Sequence, residues 1–445
     1  MSRSIFEPEA QIPVLAECDV LVVGGGPAGI AAAVGAARTG VKTIVVERYG
    51  CLGGILTTCS METPAWWRDE KAVMPGGIFA ELDDRLVKAG LSQHCFFRPG
   101  TGRAYDTEAL KYVADELIEE NGAFSILHCL GVSPIMDGDQ ITGVVTESKS
   151  GRQAVLAKRI VDCTGDADIA ARAGAAFVSA EEPTGSLPAG QLYNGTIVYG
   201  LSNVDTRRFE EDVDRDPMSR HPILHRLCHH YLDDAERDGI PVPEGMRKGF
   251  VYNMVETDAL PALNQTQLPV NGTDVISLTQ AEILGREAVM KTIPIYRKYA
   301  PGMEHARLRY FSMGIGIRET RRIVGEYTLN LHDIFESKEN SESIGVYPFC
   351  CDGAEGTIPA STDRHFQVPY RITVPQRVEN LLVAGRCVSA QRRCYGVSRM
   401  VNFAMVTGQA AGTASAVAVK DGVSSRDVNI TDLQKELQHQ GVKIK

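Results

Sequence analysis

The chain has 445 residues, too many for one simple core, so two structural units in one catalytic body are expected. Hydrophobic residues make up 44% and charged residues 23%, the balance of a globular protein and not of a fibrous or disordered one. A net charge of −10 excludes the broad basic stripe that a nucleic-acid partner needs, while leaving room for a local arginine cluster facing a small anion. Eleven scattered cysteines without metal-knuckle spacing read as reduced thiols of a cytoplasmic protein, with no metal site. Glu7, Glu9, Glu17 and Asp19 precede any long apolar run, which argues against a signal peptide. No stretch reaches the roughly 18 apolar residues of a membrane span, so no membrane partner is expected.

The first informative segment is Asp19–Glu47. The apolar run Val20–Val23 reads as a buried parallel strand, followed by Gly24-Gly25-Gly26-Pro27-Ala28-Gly29 and an alanine-rich helix that ends near Gly40. Gly24 permits a sharp turn, and Gly26 lets backbone approach a pyrophosphate. Gly29 and Ala33 let the helix pack close to the sheet. The helix N-terminus offers free N–H groups and partial positive charge to phosphates. A second strand, Thr43–Val46, ends in Glu47, placed to bond an unphosphorylated ribose. Strand, glycines, helix and acid together define a dinucleotide site, for FAD or NAD.

The segment after Glu47 separates these two. Arg48-Tyr49-Gly50-Cys51-Leu52-Gly53-Gly54-Ile55 resembles the loop that two-dinucleotide-binding-domain flavoproteins place over the pyrophosphate and flavin ring. A meander of short strands across 125–156, with a turn at Asp137-Gly138-Asp139 and Leu130 near its start, leads to Cys163-Thr164-Gly165-Asp166, a turn that brings backbone against the cofactor. Near the C-terminus, a strand runs into Gly385-Arg386, and a small-residue helix holds Gly408 and Ala411. A helix end there would favour the anionic reduced flavin.

With these pieces the chain resembles the FAD-dependent oxidoreductase family of the glutathione-reductase-like superfamily. The likeness runs from about Asp19 to Lys420 and includes Gly314–Tyr327, with its Ile317-Arg318-Glu319-Thr320-Arg321-Arg322 run, and Leu382–Ser389. The resemblance implies an α/β fold: a Rossmann-like FAD-binding domain with an inserted α+β substrate domain. It also implies FAD as cofactor and, for the superfamily, a homodimer. One departure is Tyr347-Pro348-Phe349-Cys350-Cys351-Asp352, where family members carry an Asp-Ile-His-like stretch after Tyr-Pro.

The expected division is 15–60, 106–178 and 371–422 for the FAD-binding domain, 61–105 and 179–370 for the substrate domain, and 423–445 for a helical tail. No second strand–GxGxxG–helix unit is visible, so an external electron donor or acceptor is expected, with a small-molecule substrate between the domains. Cofactor contacts are expected from Gly24, Gly26, Pro27, Ala28, Gly29 and Glu47; from Arg48, Gly53, Gly54, Ile55 and Leu130; and from Thr164, Gly165, Asp166, Gly385, Arg386, Gly408 and Ala411. His365 and Tyr395 are candidate bases for the proton lost as hydride leaves for flavin N5, and Arg399 is expected at the flavin ring. Arg318 and Arg322, sharing a face if helical, and Trp66 are candidate substrate contacts. His225 and His229 read as a solvated helix face instead of a metal site. A colourless protein that binds NAD, or one using its flavin for sensing, is the alternative reading.

Overall fold

The computed structural model describes residues 5, 10–64, 74–94, 103–180, 182–215, 230–336, 339–349, 351–353, 356–358 and 364–445. Trp66, His225 and His229 lie outside the described residues. No helix among those described is long and apolar enough to cross a membrane.

The first layer is built on β1 (Val14–Val23), which leads into α1 (Pro27–Arg38) and β2 (Thr43–Val46). Helix α2 (Thr107–Glu120) then leads to β3 (Phe124–Ile126). The meander is β4 (Leu130–Asp137), β5 (Gln140–Ser148) and β6 (Gly151–Asp162). Strands β3, β2, β1 and β6 pair in parallel, in that order. Beyond β6 the pairing turns antiparallel through β5 and β4. The far edge of β6 serves two partners. Its first half pairs with β5 as far as Leu156, and its last residues pair in parallel with a short strand at Leu381–Val383. This handover sets Cys163 beside the end of β1, where its amide donates to the Val23 carbonyl at 2.8 Å.

The second layer is an antiparallel sheet of β7 (Val198–Ser202), β8 (Met246–Val251), β9 (Ala259–Thr266) and β10 (Arg307–Phe311), ordered β8-β9-β7-β10. Between β9 and β10 runs α3 (Val275–Tyr299), capped by Asp274. Tyr199, Leu201, Leu263, Val289 and Tyr296 form a core of their own here, apart from that of the first layer.

Chain 401–421 forms α4 (Val401–Asp421), which packs on α1 backbone to backbone. Both helices are buried nearly all round and are rich in Ala, Gly and Val, which lets their backbones approach closely. A Cβ on Gly408 would collide with the Ala28 carbonyl oxygen, and one on Gly412 with that of Ala32. Gly408→Ala is therefore expected to cost about 2 kcal/mol through overpacking, read as a lowered Tm in a thermal melt; an unchanged Tm would refute this contact.

The packing departs from the expected division at two places. Ser343–Pro348 pairs with His365–Pro369, and Tyr347 and Phe366 join Phe403 of α4 in the core of the first layer. Leu433 and Leu437 of the C-terminal helix enter the same core, and Lys443 accepts the Val346 amide through its carbonyl at 2.9 Å. Residues 343–349, 364–370 and 430–444 thus lie on the first layer. The reason is long-range: α4 and the C-terminal segment cover the 343–348 strand, and neither neighbour is evident from local pattern.

Candidate functional site

The glycine turn has the shape its residues dictate. Gly24 takes φ +98°, and its amide donates to Val46 at 2.8 Å. A Cβ there would stand 2.6 Å from the Cys163 carbonyl oxygen. Gly26 is the N-cap of α1 and has no side chain to satisfy the first-turn amides, and Pro27 follows in the first turn. A Cβ on Gly26 would meet nothing within 4 Å, so it would project into open space. Glu47 ends β2 with Oε2 accepting the Gly25 amide at 2.7 Å and Oε1 accepting the Tyr49 amide at 2.9 Å. Gly53, at φ +102°, donates to Gly25 at 2.9 Å and lays the 53–55 loop across the turn.

These elements open onto a cavity of about 570 Å³ that continues to the antiparallel sheet. Glu47, Arg48 and Leu130 line one part of it, and Gly26, Thr164 and Gly165 another. Asp166 accepts from Arg386 and, at 2.6 Å, from the Thr320 hydroxyl. Arg386 Nε is buried with no hydrogen-bond partner among the described residues, a donor left for an anionic ligand. Gly24, Pro27, Ala28, Gly54, Ile55 and Gly385 also border the cavity. So do Arg399, Met400, Val401 and Ala404, which bring the uncapped N-terminus of α4 to its wall.

Several expected site residues lie elsewhere. Gly408 and Ala411 are two turns or more inside α4, against α1, because the helix begins at Val401 and not near Gly408. Gly29 and Gly53 shape the turn without lining the cavity: a Cβ on Gly29 would strike the Gly24 carbonyl. Residues 317–321 are not helical, so Arg318 and Arg322 share no helix face. Arg318 does line the cavity, donating to the Asn194 carbonyl at 2.5 Å. Arg322 is wholly buried, bonded to Glu319 Oε1 at 3.0 Å and to the Ala390 carbonyl at 3.0 Å. It belongs to a clamp in which Glu319 also takes Arg392 through both oxygens at 2.9 Å. Tyr395 is wholly buried, donates to the Arg318 carbonyl at 2.7 Å and does not reach the cavity; burial drives its phenol far up, away from base chemistry. His365 sits on the strand paired with Pro348, also off the cavity wall.

The cavity also gathers residues that no motif announced. Arg247, Val251, Asn253 and Asn264 face it from β8, β9 and the segment between them. Behind Asn253 lies Glu62, 3% exposed, whose Oε1 accepts the Asn253 amide and, at 3.0 Å, the Met254 amide. Burial is the chief cause that pushes the Glu62 carboxyl from 4.5 up to about 8, against those hydrogen bonds. A carboxyl raised on folding keeps its proton in the native state while the unfolded chain has lost it. Its contribution to stability is therefore full below pH 4.5 and lost as pH rises to about 8. Denaturation curves across that window are expected to show stability falling by a few kcal/mol (on the order of 1.4 per pH unit), and Glu62→Gln to flatten the fall.

An uncapped helix start, an acid at the end of β2 and an open crossing to a second sheet define a dinucleotide-dependent enzyme site. The chain belongs to the FAD dependent oxidoreductase family, whose model matches residues 19–437. A thiamine thiazole synthase of Methanococcus vannielii is 30% identical over 168 residues, covering 34% of this chain and 57% of that protein. The dihydrolipoyl dehydrogenase of Trypanosoma brucei brucei is 55% identical over 42 residues, 9% of this chain and 9% of that one. The chain thus spans between 9% and 57% of the length of these relatives. Among solved structures, a geranylgeranyl bacteriochlorophyll reductase-like protein of Thermoplasma acidophilum is 14% identical with a TM-score of 0.43, covering 96% of this chain and 82% of that one. The myxobacterial chondrochloren halogenase, an FAD-dependent halogenase, is 14% identical with a TM-score of 0.49, covering 96% and 79%. The cofactor is FAD. The residues present fit it: open space over Gly26 suits a pyrophosphate, and the spare donor of Arg386 suits its charge.

Proposed function

We propose that this enzyme transfers a hydride between a small organic substrate and the flavin, and that an external partner returns the electrons. The observation that carries this reading is the continuity of one cavity from Gly26 and Glu47 to Asn253 and Asn264 on the antiparallel sheet. Bound FAD supplies a two-electron centre there, able to accept or release hydride.

The chain's own residues divide the remaining tasks. Gly26 and the first turn of α1 hold the pyrophosphate, with Glu47 on the ribose. Arg399 and the N-terminus of α4 bring positive charge to the wall where negative charge gathers on reduction. Arg318 and the 53–55 loop close the sides, and the antiparallel sheet excludes bulk water opposite.

The test is anaerobic mixing of the FAD-loaded protein with primary and secondary alcohols and amines, following the flavin band. Bleaching is expected with at least one compound, slowed about two- to fivefold when the reacting carbon carries deuterium. If none bleaches the band, and the photoreduced protein is not reoxidised anaerobically by conjugated enones either, hydride transfer to organic substrates is refuted.

A further inference from the structure

The polar atoms left without partners around the cavity sort by chemical type. On the side of the dinucleotide motif a donor, Arg386 Nε, is without a partner among the described residues, which suits the anionic cofactor. On the side of the antiparallel sheet two acceptors on the wall, Asn253 Oδ1 and Asn264 Oδ1, are buried atoms without a hydrogen-bond partner among the described residues. Val251 faces Asn264 across the β8–β9 pair, and Asn253 lies two residues beyond the end of β8. All three line the cavity.

The Asn253 side chain lies beside the buried Glu62 carboxyl. Asn264 Nδ2 donates to the Met61 sulfur at 4.0 Å, leaving Oδ1 on the other side. Asn253 is 4% exposed and cannot swing out to water. An amide oxygen left unpaired in such a place is costly, so the site is built for a ligand that brings hydrogens to it. An isoalloxazine ring has one ring donor in its oxidised form, N3–H, which can serve one of the two oxygens and not both.

Arg247, on the wall at this end, donates from Nε to the Gly249 carbonyl at 2.9 Å and from Nη2 to the Asn264 carbonyl at 2.5 Å, and so braces the β8–β9 hairpin.

We propose that the sheet-side end of the cavity binds its substrate through hydroxyl or amino hydrogens given to the side-chain oxygens of Asn253 and Asn264, which makes the substrate class an alcohol or amine instead of a carboxylate. That the ligand is a substrate rests on the hydride-transfer reading above; that it is a hydrogen-bond donor rests on the two amides alone. Glu62 is the positioning residue, since it holds the 253–254 backbone in place through Oε1.

The experiment is calorimetric titration of the full FAD-loaded chain with three probes: trans-1,2-cyclohexanediol, its dimethyl ether and cyclohexanecarboxylate. The ether keeps the skeleton and deletes the donors; the carboxylate replaces them with charge. The diol is expected to bind about tenfold or more tighter than either, since an unpaired buried acceptor discriminates strongly against a ligand without a hydrogen. Asn264→Val and Asn253→Ala, each checked for an unchanged melting curve, are expected to reduce that ratio towards one. Equal affinities, tighter carboxylate binding, or no diol binding in the unsubstituted protein would overturn the inference whether or not either variant folds. If the diol is preferred but no alcohol or amine bleaches the flavin and no enone reoxidises the photoreduced protein, the hydride-transfer reading fails and this one stands.

Discussion

Gly26→Val is expected to yield a folded protein that has lost its flavin. The backbone at Gly26 is extended, at φ −68° and ψ −173°, a conformation valine adopts readily and one that suits a residue before proline. A Cβ there meets nothing within 4 Å, so the fold should not register the change. The added methyls would occupy the space where a pyrophosphate must touch the α1 amides. FAD affinity is expected to fall at least about a hundredfold, since contacts to both phosphates depend on that approach. Far-ultraviolet dichroism and the melting curve of the FAD-free form are expected to match those of the FAD-free parent. A yellow variant with parental affinity would show that the pyrophosphate lies elsewhere. Gly24→Val makes the instructive contrast: at φ +98°, with a Cβ 2.6 Å from the Cys163 carbonyl, it should damage the fold itself.

The largest effect on stability is expected at Glu319. Its carboxylate is wholly buried between Arg322 and Arg392 and also accepts the Tyr193 amide at 3.2 Å. Arg392 in turn gathers the carbonyls of Ala180, Glu182, Pro188 and Gln191, which ties a loop of the second unit to the strand-and-turn region after Leu381. Glu319→Ala leaves two guanidinium groups buried without their counter-charge. The cost is expected to be about 3–5 kcal/mol, enough to shift the urea midpoint sharply or to prevent recovery of folded protein. Replacing Glu319, Arg322 and Arg392 together by leucine and methionines is expected to restore part of the loss, because it removes the charges as well as their pairing. A single variant with parental stability would mean the clamp contributes little to folding.

That clamp also explains the reach of sequence reasoning in this chain. The run Ile317–Tyr327 stood out as a family signature, and its arginines were weighed for substrate contact. In three dimensions much of it is internal bracing: Thr320 and Arg321 hold Asp166 and its neighbours, and Arg371 and Arg426 both pair with Glu326. An arginine's sequence says nothing of whether its partner is a ligand or a carboxylate 73 residues away, as for Glu319 and Arg392. The glycine turn was legible because each residue there answers to a local demand of backbone shape. The cavity's sheet-side wall was not, because Asn253, Asn264 and Glu62 meet only through long-range strand pairing and packing. Tyr395 and His365 were chosen for their chemistry and their nearness in sequence to flavin-facing segments; burial of one and strand placement of the other remove both from the cavity. A small-residue helix is expected around Gly408 and Ala411, and α4 is that helix; its start at Val401, seven residues before Gly408, has no capping side chain to mark it.

The central claim is that FAD lies in the cavity between the Gly26 turn and the antiparallel sheet. It is tested most directly by the absorbance spectrum of the purified protein, or of the protein after incubation with FAD, together with identification of the nucleotide released on heating. Two visible flavin bands, one FAD per chain, and loss of both in Gly26→Val are the expected result. A colourless protein that takes up no FAD, or one whose Gly26→Val variant binds it unchanged, would contradict the account.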